Sequence, residues 1–221
     1  MIFRAIGYNL ASDGNLLRKI KNITPSGGAA IIDSFLAGCN LTLKISGALK
    51  EKGLLGNWHF LHVVITDGLD TCSKTDIGEC LLVLLLLSNV IPVQLYKTVF
   101  IGIDVNSQGD KLLTALQELG KQSTEYYKAN DITQETIKNI FQEIQISLGI
   151  LSQTNIALLS IKERKFVVLF TIQKSSSMYS KWNKVTKAVE MILQQLGSGL
   201  HFANALCFND SAELLGTSEG S

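Results

Sequence analysis

At 221 residues, 46% hydrophobic and 18% charged, the chain is long enough to bury a core of ordinary density and fits one α/β domain better than two. Its formal charge of +1, with no Lys/Arg cluster longer than the one spanning Lys162 to Lys165, excludes the dense basic stripe of a nucleic-acid surface. Four cysteines, Cys39, Cys72, Cys80 and Cys207, show no CxxC spacing, so neither a zinc site nor a disulfide framework is legible. Buried free thiols are the expectation, with Cys72 and Cys80 spaced to pair only in an oxidising compartment.

In chain order, Ile2 to Tyr8 reads as a short strand and Leu16 to Ile20 as a helical segment after the turn Ala11 to Asn15. No signal peptide is expected from the opening residues, and the compartment is unknown, with the cytoplasm slightly favoured. Ile23-Thr24-Pro25-Ser26-Gly27-Gly28-Ala29-Ala30 is a tight loop feeding a helix that begins near Ala29; it reads as an anion or ligand site or as a plain connector. Leu61 to Gly68 predicts a buried strand whose Asp67-Gly68 turn presents a carboxylate at the strand's carboxyl end.

Ser73 to Asn89 predicts a helix. Its apolar run Leu81 to Leu87 is too short to span a bilayer, which takes about 20 residues, so it reads as a core helix with no membrane insertion. Lys97 to Val105 predicts a third strand, and Asp110 to Leu119 a helix with Gly120 as its C-cap. Ser123 to Lys128 reads as a strand, and Ile132 to Leu148 as an amphipathic helix with Thr133 as N-cap. Ser152 to Lys165 is a connector, and Gly216 to Ser221 a disordered tail.

The chain is organised around Phe166 to Met178, where a strand apolar throughout runs straight into a hydroxyl-rich turn. Trp182, Val185, Ala188, Val189, Ile192 and Leu196 then recur at spacings of three and four, which predicts an amphipathic helix. Strand, turn and helix make half of a βαβ crossover, and His201 to Asn209 is read as an antiparallel edge strand. The whole predicts an α/β fold, a doubly wound Rossmann-like three-layer sandwich with a mostly parallel sheet, as one domain over 1–215.

Four stretches resemble the von Willebrand factor type A family. Ile65-Thr66-Asp67-Gly68 looks like its Asp-Gly strand and turn, Ile23 to Asp33 like its glycine-rich loop, and Ile101-Gly102-Ile103-Asp104 like a later strand. Ile172-Gln173-Lys174-Ser175-Ser176-Ser177 resembles the Asp-x-Ser-x-Ser turn that opens that family's metal-ion-dependent adhesion site. In the family this turn comes first, whereas here it comes late. Moving Phe166 to Leu215 ahead of Met1 restores the order, so the sequence resembles a circular permutant. A cut across tandem domains and a segment exchanged between two chains are the other accounts; a monomer is favoured over a swapped dimer.

The resemblance implies a metal site built from Ser175, Ser177 and Asp67. Gln173 stands where the family has Asp, and Ala29 where it has Thr. One carboxylate and two hydroxyls are a weak donor set for a hard octahedral cation, so the site reads as degenerate, with no cofactor expected and Mg²⁺ or Mn²⁺ binding at most weakly. The plain account has Ser175 and Ser177 capping the helix and Asp67 pairing with Lys174 or backbone N–H groups. Gly27, Gly28, Lys174 and Asp70 complete the expected ligand-binding rim.

No nucleophile motif accompanies His59, His62 or His201; Asp104 and Glu163 lack visible partners; the Gly-Gly loop has neither a P-loop nor a dinucleotide fingerprint. The expectation is a non-enzymatic interaction module with a protein partner. The alternatives are a small-ligand or anion-binding α/β domain, and a structural or engineered permutant without ligand activity.

Overall fold

The computed structural model describes residues 9–130, 132–147, 165–196 and 201–215. The strand expected over Ile2 to Tyr8, most of the 152–165 connector, Glu163 and the 216–221 tail lie outside the described residues. The strands are β1 (Asn9–Leu10), β2 (Trp58–Thr66), β3 (Tyr96–Ile103), β4 (Thr124–Ala129), β5 (Lys165–Gln173), β6 (Phe202–Phe208) and β7 (Ala212–Leu214). The helices are α1 (Asn15–Lys21), α2 (Ile31–Glu51), α3 (Ile77–Val90), α4 (Ser107–Gly120), α5 (Gln134–Ser147) and α6 (Trp182–Leu196).

These strands form one sheet in the order β1-β6-β5-β2-β3-β4, with β7 also on β6. β5 pairs in parallel with β2 on one side and β6 on the other, and β3 and β4 continue the parallel run. Every residue of β2 and β3 is buried, as is all of β5 after Lys165, which is why their sequences show no polar alternation. The late strand therefore lies in the middle of the sheet.

The edge differs from expectation. β6 is parallel to β5, because the connection through α6 is a crossover that returns the chain in the same direction. The antiparallel edge comes instead from β1, opposite Phe202 and Ala203, and β7, opposite Leu206 to Phe208. The Asn209-Asp210 turn joins β6 to β7 in a hairpin, as the Asn-Asp pair predicts.

Helices cover both faces. Leu16 and Ile20 of α1, Ile137 and Phe141 of α5, and Val185, Val189 and Ile192 of α6 pack on one side of the sheet. Phe35, Cys39 and Ile45 of α2, Leu84 and Leu87 of α3, and Leu113 and Leu116 of α4 pack on the other. Trp182 Nε1 donates to the Ile20 carbonyl at 3.2 Å and ties α6 to α1. The layers make the Rossmann-like three-layer sandwich that the strand and helix patterns predict.

Two helices correct the sequence reading. Gly120 is the last residue of α4 in ordinary right-handed geometry, while Lys121 takes the positive φ of 47°. Glycine is required at 120 because a Cβ would collide with the Thr124 side chain. α3 is not a core helix: only Cys80, Leu84 and Leu87 are buried, while Leu81, Leu82, Leu85 and Leu86 are exposed. As an outer-layer helix it can turn only one side to the sheet, whatever its composition.

Candidate functional site

β5 leads into α6 on one face of the sheet, whereas β2 leads into α3 on the other. The crevice between the carboxyl ends of β5 and β2 is thus the point where the winding reverses, the usual ligand position in an open α/β sheet. Gln173 ends β5 and Asp67 follows β2; both are buried, at 0% and 1% exposure.

The Gln173 amide is the centre of this crevice. Its Oε1 accepts from Thr66 Oγ1 and from the Asp67 backbone N–H at 3.1 Å. Its Nε2 donates to Ser175 Oγ at 2.6 Å and to Ser177 Oγ at 3.3 Å, and the two serine oxygens are 2.9 Å apart. Both lone pairs and both hydrogens of the amide are used, so the buried group is fully satisfied.

Asp67 is held separately. One carboxylate oxygen accepts from the Leu69 N–H at 3.2 Å, and the other faces the Lys181 ammonium at 3.1 Å. Lys184, three residues on, pairs with Asp104 at 2.8 Å and also donates to the Asn130 carbonyl, so Asp104 does have a partner. Lys181, at the end of the 3-10 turn that leads into α6, and Lys184, in the first turn of α6, thus meet carboxylates that follow β2 and β3. Cations at a helix N-terminus oppose the helix dipole, and the helix itself gives no reason for them there.

The expected Asp67–Lys174 pair does not form. Lys174 reaches instead toward the sheet edge, where its ammonium meets Glu213 of β7 at 3.0 Å. Ser175 sits at the N-cap of the 3-10 turn Ser176–Lys181 that leads into α6, without a side-chain capping bond, because its hydroxyl is turned to Gln173.

The glycine loop reaches the same rim. Ser26 N–H donates to the Lys174 carbonyl at 2.6 Å, and Ser176 donates to the Gly27 carbonyl through its backbone N–H at 3.0 Å and its hydroxyl at 3.1 Å. Gly27 has φ of 82°, and Gly28 N–H donates to Asp210 Oδ1 at 2.8 Å, where any Cβ would land on Cys72 and Asp210. Ala29 is tied instead to Thr71, whose Oγ1 accepts from its N–H at 2.9 Å. Asp70 accepts from the N–H groups of Ile32 and Ser73, closing the first turn of α2. A pocket of about 410 Å³ lies beside it, lined in part by Thr71, Cys72, Ser73 and Gln108.

Tested against a divalent cation, this donor set does not fit. The serine oxygens accept from an amide, Gln173 offers hydrogens where a carboxylate would offer charge, and Asp67 holds an ammonium. Among the described residues no group of three or more His, Cys, Asp or Glu is placed to hold a metal.

The other titratable groups lie inside the layers. His62 Nε2 is 2.8 Å from Thr171 Oγ1 and its ring stacks on Phe35; burial pushes its pKa down to about 3. His201 Nδ1 accepts from Phe166 N–H, and burial lowers its pKa as well. Cys39, Cys80 and Cys207 are buried free thiols, with Cys80 and Cys207 pushed up to about 12 by desolvation. Cys72 is also free and does not pair with Cys80.

Sequence reasoning found Asp67, Gln173, Ser175 and Ser177, and the structure brings all four together. It missed Lys181, Thr66 and Asp210. Lys181 left one trace: a cation immediately before a helix whose first turn holds no acidic residue. No protein-family model and no curated protein matches the chain. Among solved structures, the chain is similar to an uncharacterized protein from Alicyclobacillus acidocaldarius subsp. acidocaldarius DSM 446, at 18% identity and TM-score 0.47, covering 72% of this chain and 79% of that one. No helix among the described residues is long and apolar enough to cross a membrane.

Proposed function

We propose that the protein is a non-enzymatic interaction module resembling the von Willebrand factor type A class in permuted order, whose rim binds a protein partner without a metal ion. The observation that carries this reading is the Lys181 ammonium 3.1 Å from the buried Asp67 carboxylate. A fixed side-chain cation supplies the charge that a carboxylate at this depth requires. The Gln173 amide then occupies the hydrogen-bonding capacity of Ser175 and Ser177. The central position of β5 between β6 and β2, with the glycine loop against its turn, supports the permuted resemblance.

Calorimetric titration with Mg²⁺ and Mn²⁺ tests the metal side, and no heat of binding is expected up to millimolar concentration. A micromolar site for either ion would refute it. The partner side is tested by affinity capture with and without EDTA, comparing the wild type with Lys174→Glu and Asp210→Lys at the rim. A partner retained in EDTA and lost from the rim variants supports the reading; release by EDTA, or indifference to both variants, overturns it.

A small-ligand reading rests on the pocket of about 410 Å³ beside Thr71 and Ser73. It is weaker because Asp70 and Ser73 already serve the N-terminus of α2. A thermal-shift screen with nucleotides and simple anions distinguishes it, since only this reading expects stabilisation.

A further inference from the structure

A second cavity, a groove of about 340 Å³ between α3, the end of α4 and the start of β3, is used by nothing described so far. It borders the amino ends of β3 and β4, whereas the rim lies at the carboxyl ends of the strands, so it is independent of that site. Leu81, Leu84, Leu85, Ile91, Tyr96 and Leu119 supply its apolar lining, and no Asp or Glu borders it. The volume is at the lower end of the range for small-molecule sites, about 300–1,000 Å³.

The polar border comes from the turn between α4 and β4, Gly120 to Ser123, together with Ser88 of α3. Most of it is already committed. Ser88 and Ser123 donate their hydroxyls to the carbonyls of Leu85 and Gly120, at 2.8 Å each, and the Gln122 carbonyl accepts from Lys97. Two groups are left over. Lys121 makes no ion pair among the described residues, and its φ of 47° is backbone strain of the kind that gathers at ligand clamps. Thr124 is 2% exposed, and its Oγ1 has no hydrogen-bond partner among the described residues. It packs directly behind Gly120, where a Cβ would land on it, and Gly120 itself lines the groove.

We infer that this groove binds a free medium-chain fatty acid, with the alkyl chain along the leucines and the carboxylate at the Lys121 and Thr124 border. The occupant has to be apolar over most of its length, because the Tyr96 hydroxyl is engaged with Thr98 and Cys39 and the rest of the lining has no side-chain donor. It has to end in an anionic acceptor, because what stays unsatisfied is a cation and a buried hydroxyl. Leu82 and Leu86 lie outside the groove and take no part.

Calorimetric titration with decanoate, decanol and decyltrimethylammonium reads the outcome. Decanoate should bind one to one and saturate below about 1 mM. Each methylene added between hexanoate and decanoate should tighten binding about fourfold. The cationic chain should bind at least about tenfold more weakly than decanoate. Lys121→Gln should weaken decanoate about two- to fivefold and leave decanol unchanged. Thr124→Val should weaken decanoate without lowering the melting temperature of the free protein, since it deletes a hydroxyl that has no partner. Leu85→Glu, an exposed position in the lining, should weaken decanoate at least about tenfold; Leu82→Ser/Leu86→Ser should change nothing. Lack of saturable decanoate binding, equal affinity for the cationic chain, indifference to Leu85→Glu, Lys121→Gln or Thr124→Val, or loss of binding in Leu82→Ser/Leu86→Ser overturns the inference.

Discussion

Replacing Lys181 by Met removes the cation from Asp67 while keeping most of the side chain's bulk. The carboxylate is 1% exposed and retains only the Leu69 N–H, so it is left close to an unpaired buried charge. Breaking a fully buried pair in this way costs about 3–5 kcal/mol. The lysine side chain is 18% exposed, and water reaching the ammonium screens the pair, which lowers the expected loss to about 2–3 kcal/mol. In a domain this size that is a fall in melting temperature of roughly 5–10 °C. Urea unfolding of Lys181→Met, Asp67→Asn and the double variant closes a thermodynamic cycle, and the double should regain about 2 kcal/mol relative to additivity. A coupling below about 0.5 kcal/mol would mean the two groups do not depend on each other, and the tethered-cation account of the site would be lost.

The remaining predictions use other parts of the molecule. Gly38→Ala would place a Cβ 2.5 Å from the His62 ring, so it should destabilise by about 1–3 kcal/mol; Gly47→Ala, on the same helix with nothing within 4 Å, should stabilise by about 0.5–1 kcal/mol. If both glycines behave alike in urea titrations, the close packing of α2 on β2 is misread. His62 is held neutral in the fold, with its pKa lowered from 6.5 to about 3, so the unfolded chain binds the extra proton between those values. Stability should therefore fall as pH drops through that window, by about 1 kcal/mol per unit from this residue, and His62→Gln should flatten the slope in pH-dependent urea melts. Gln173→Asp with Ala29→Thr should acquire little Mg²⁺ response while Lys181 holds Asp67. Adding Lys181→Ala should create one, and 10 mM Mg²⁺ acting on a site of about 100 µM affinity would stabilise by about 2.7 kcal/mol in a thermal-shift assay.

The buried strands were legible because parallel strands covered on both faces lose their alternation, as in β2, β3 and β5. The convergence of Asp67 with Ser175 and Ser177 was legible from the turns that close β2 and β5. The partner of Asp67 was not. Successive side chains leave a strand end in different directions, so Gln173 and Ser175 share the crevice while Lys174 reaches toward the sheet edge and Glu213. A lysine eight residues beyond Gln173, on a four-carbon stem, carries no periodic signal of its own. The direction of β6 was misread because the Asn209-Asp210 turn announces a hairpin without saying which neighbour lies on the strand's other side. The burial of α3 was misread for a similar reason: a helix apolar all round does not reveal how much of its circumference the sheet can cover.

The site is divided between the two ends of the chain. Asp67 and Thr66 belong to the early part, while Gln173, Ser175, Ser177 and Lys181 come 106 to 114 residues later along the bonds that join them. Neither part satisfies its polar groups alone: before β5 arrives, Asp67 lacks its ammonium, and the Gln173 amide lacks two donors. Insertion of β5 between β2 and β6 and neutralisation of the crevice are therefore one event, and it has to bring together segments of high sequence separation, the slow kind of contact to form. A segment exchanged between two copies would rebuild the same crevice from residues of different chains. The Asp67–Lys181 pair is accordingly blind to that exchange.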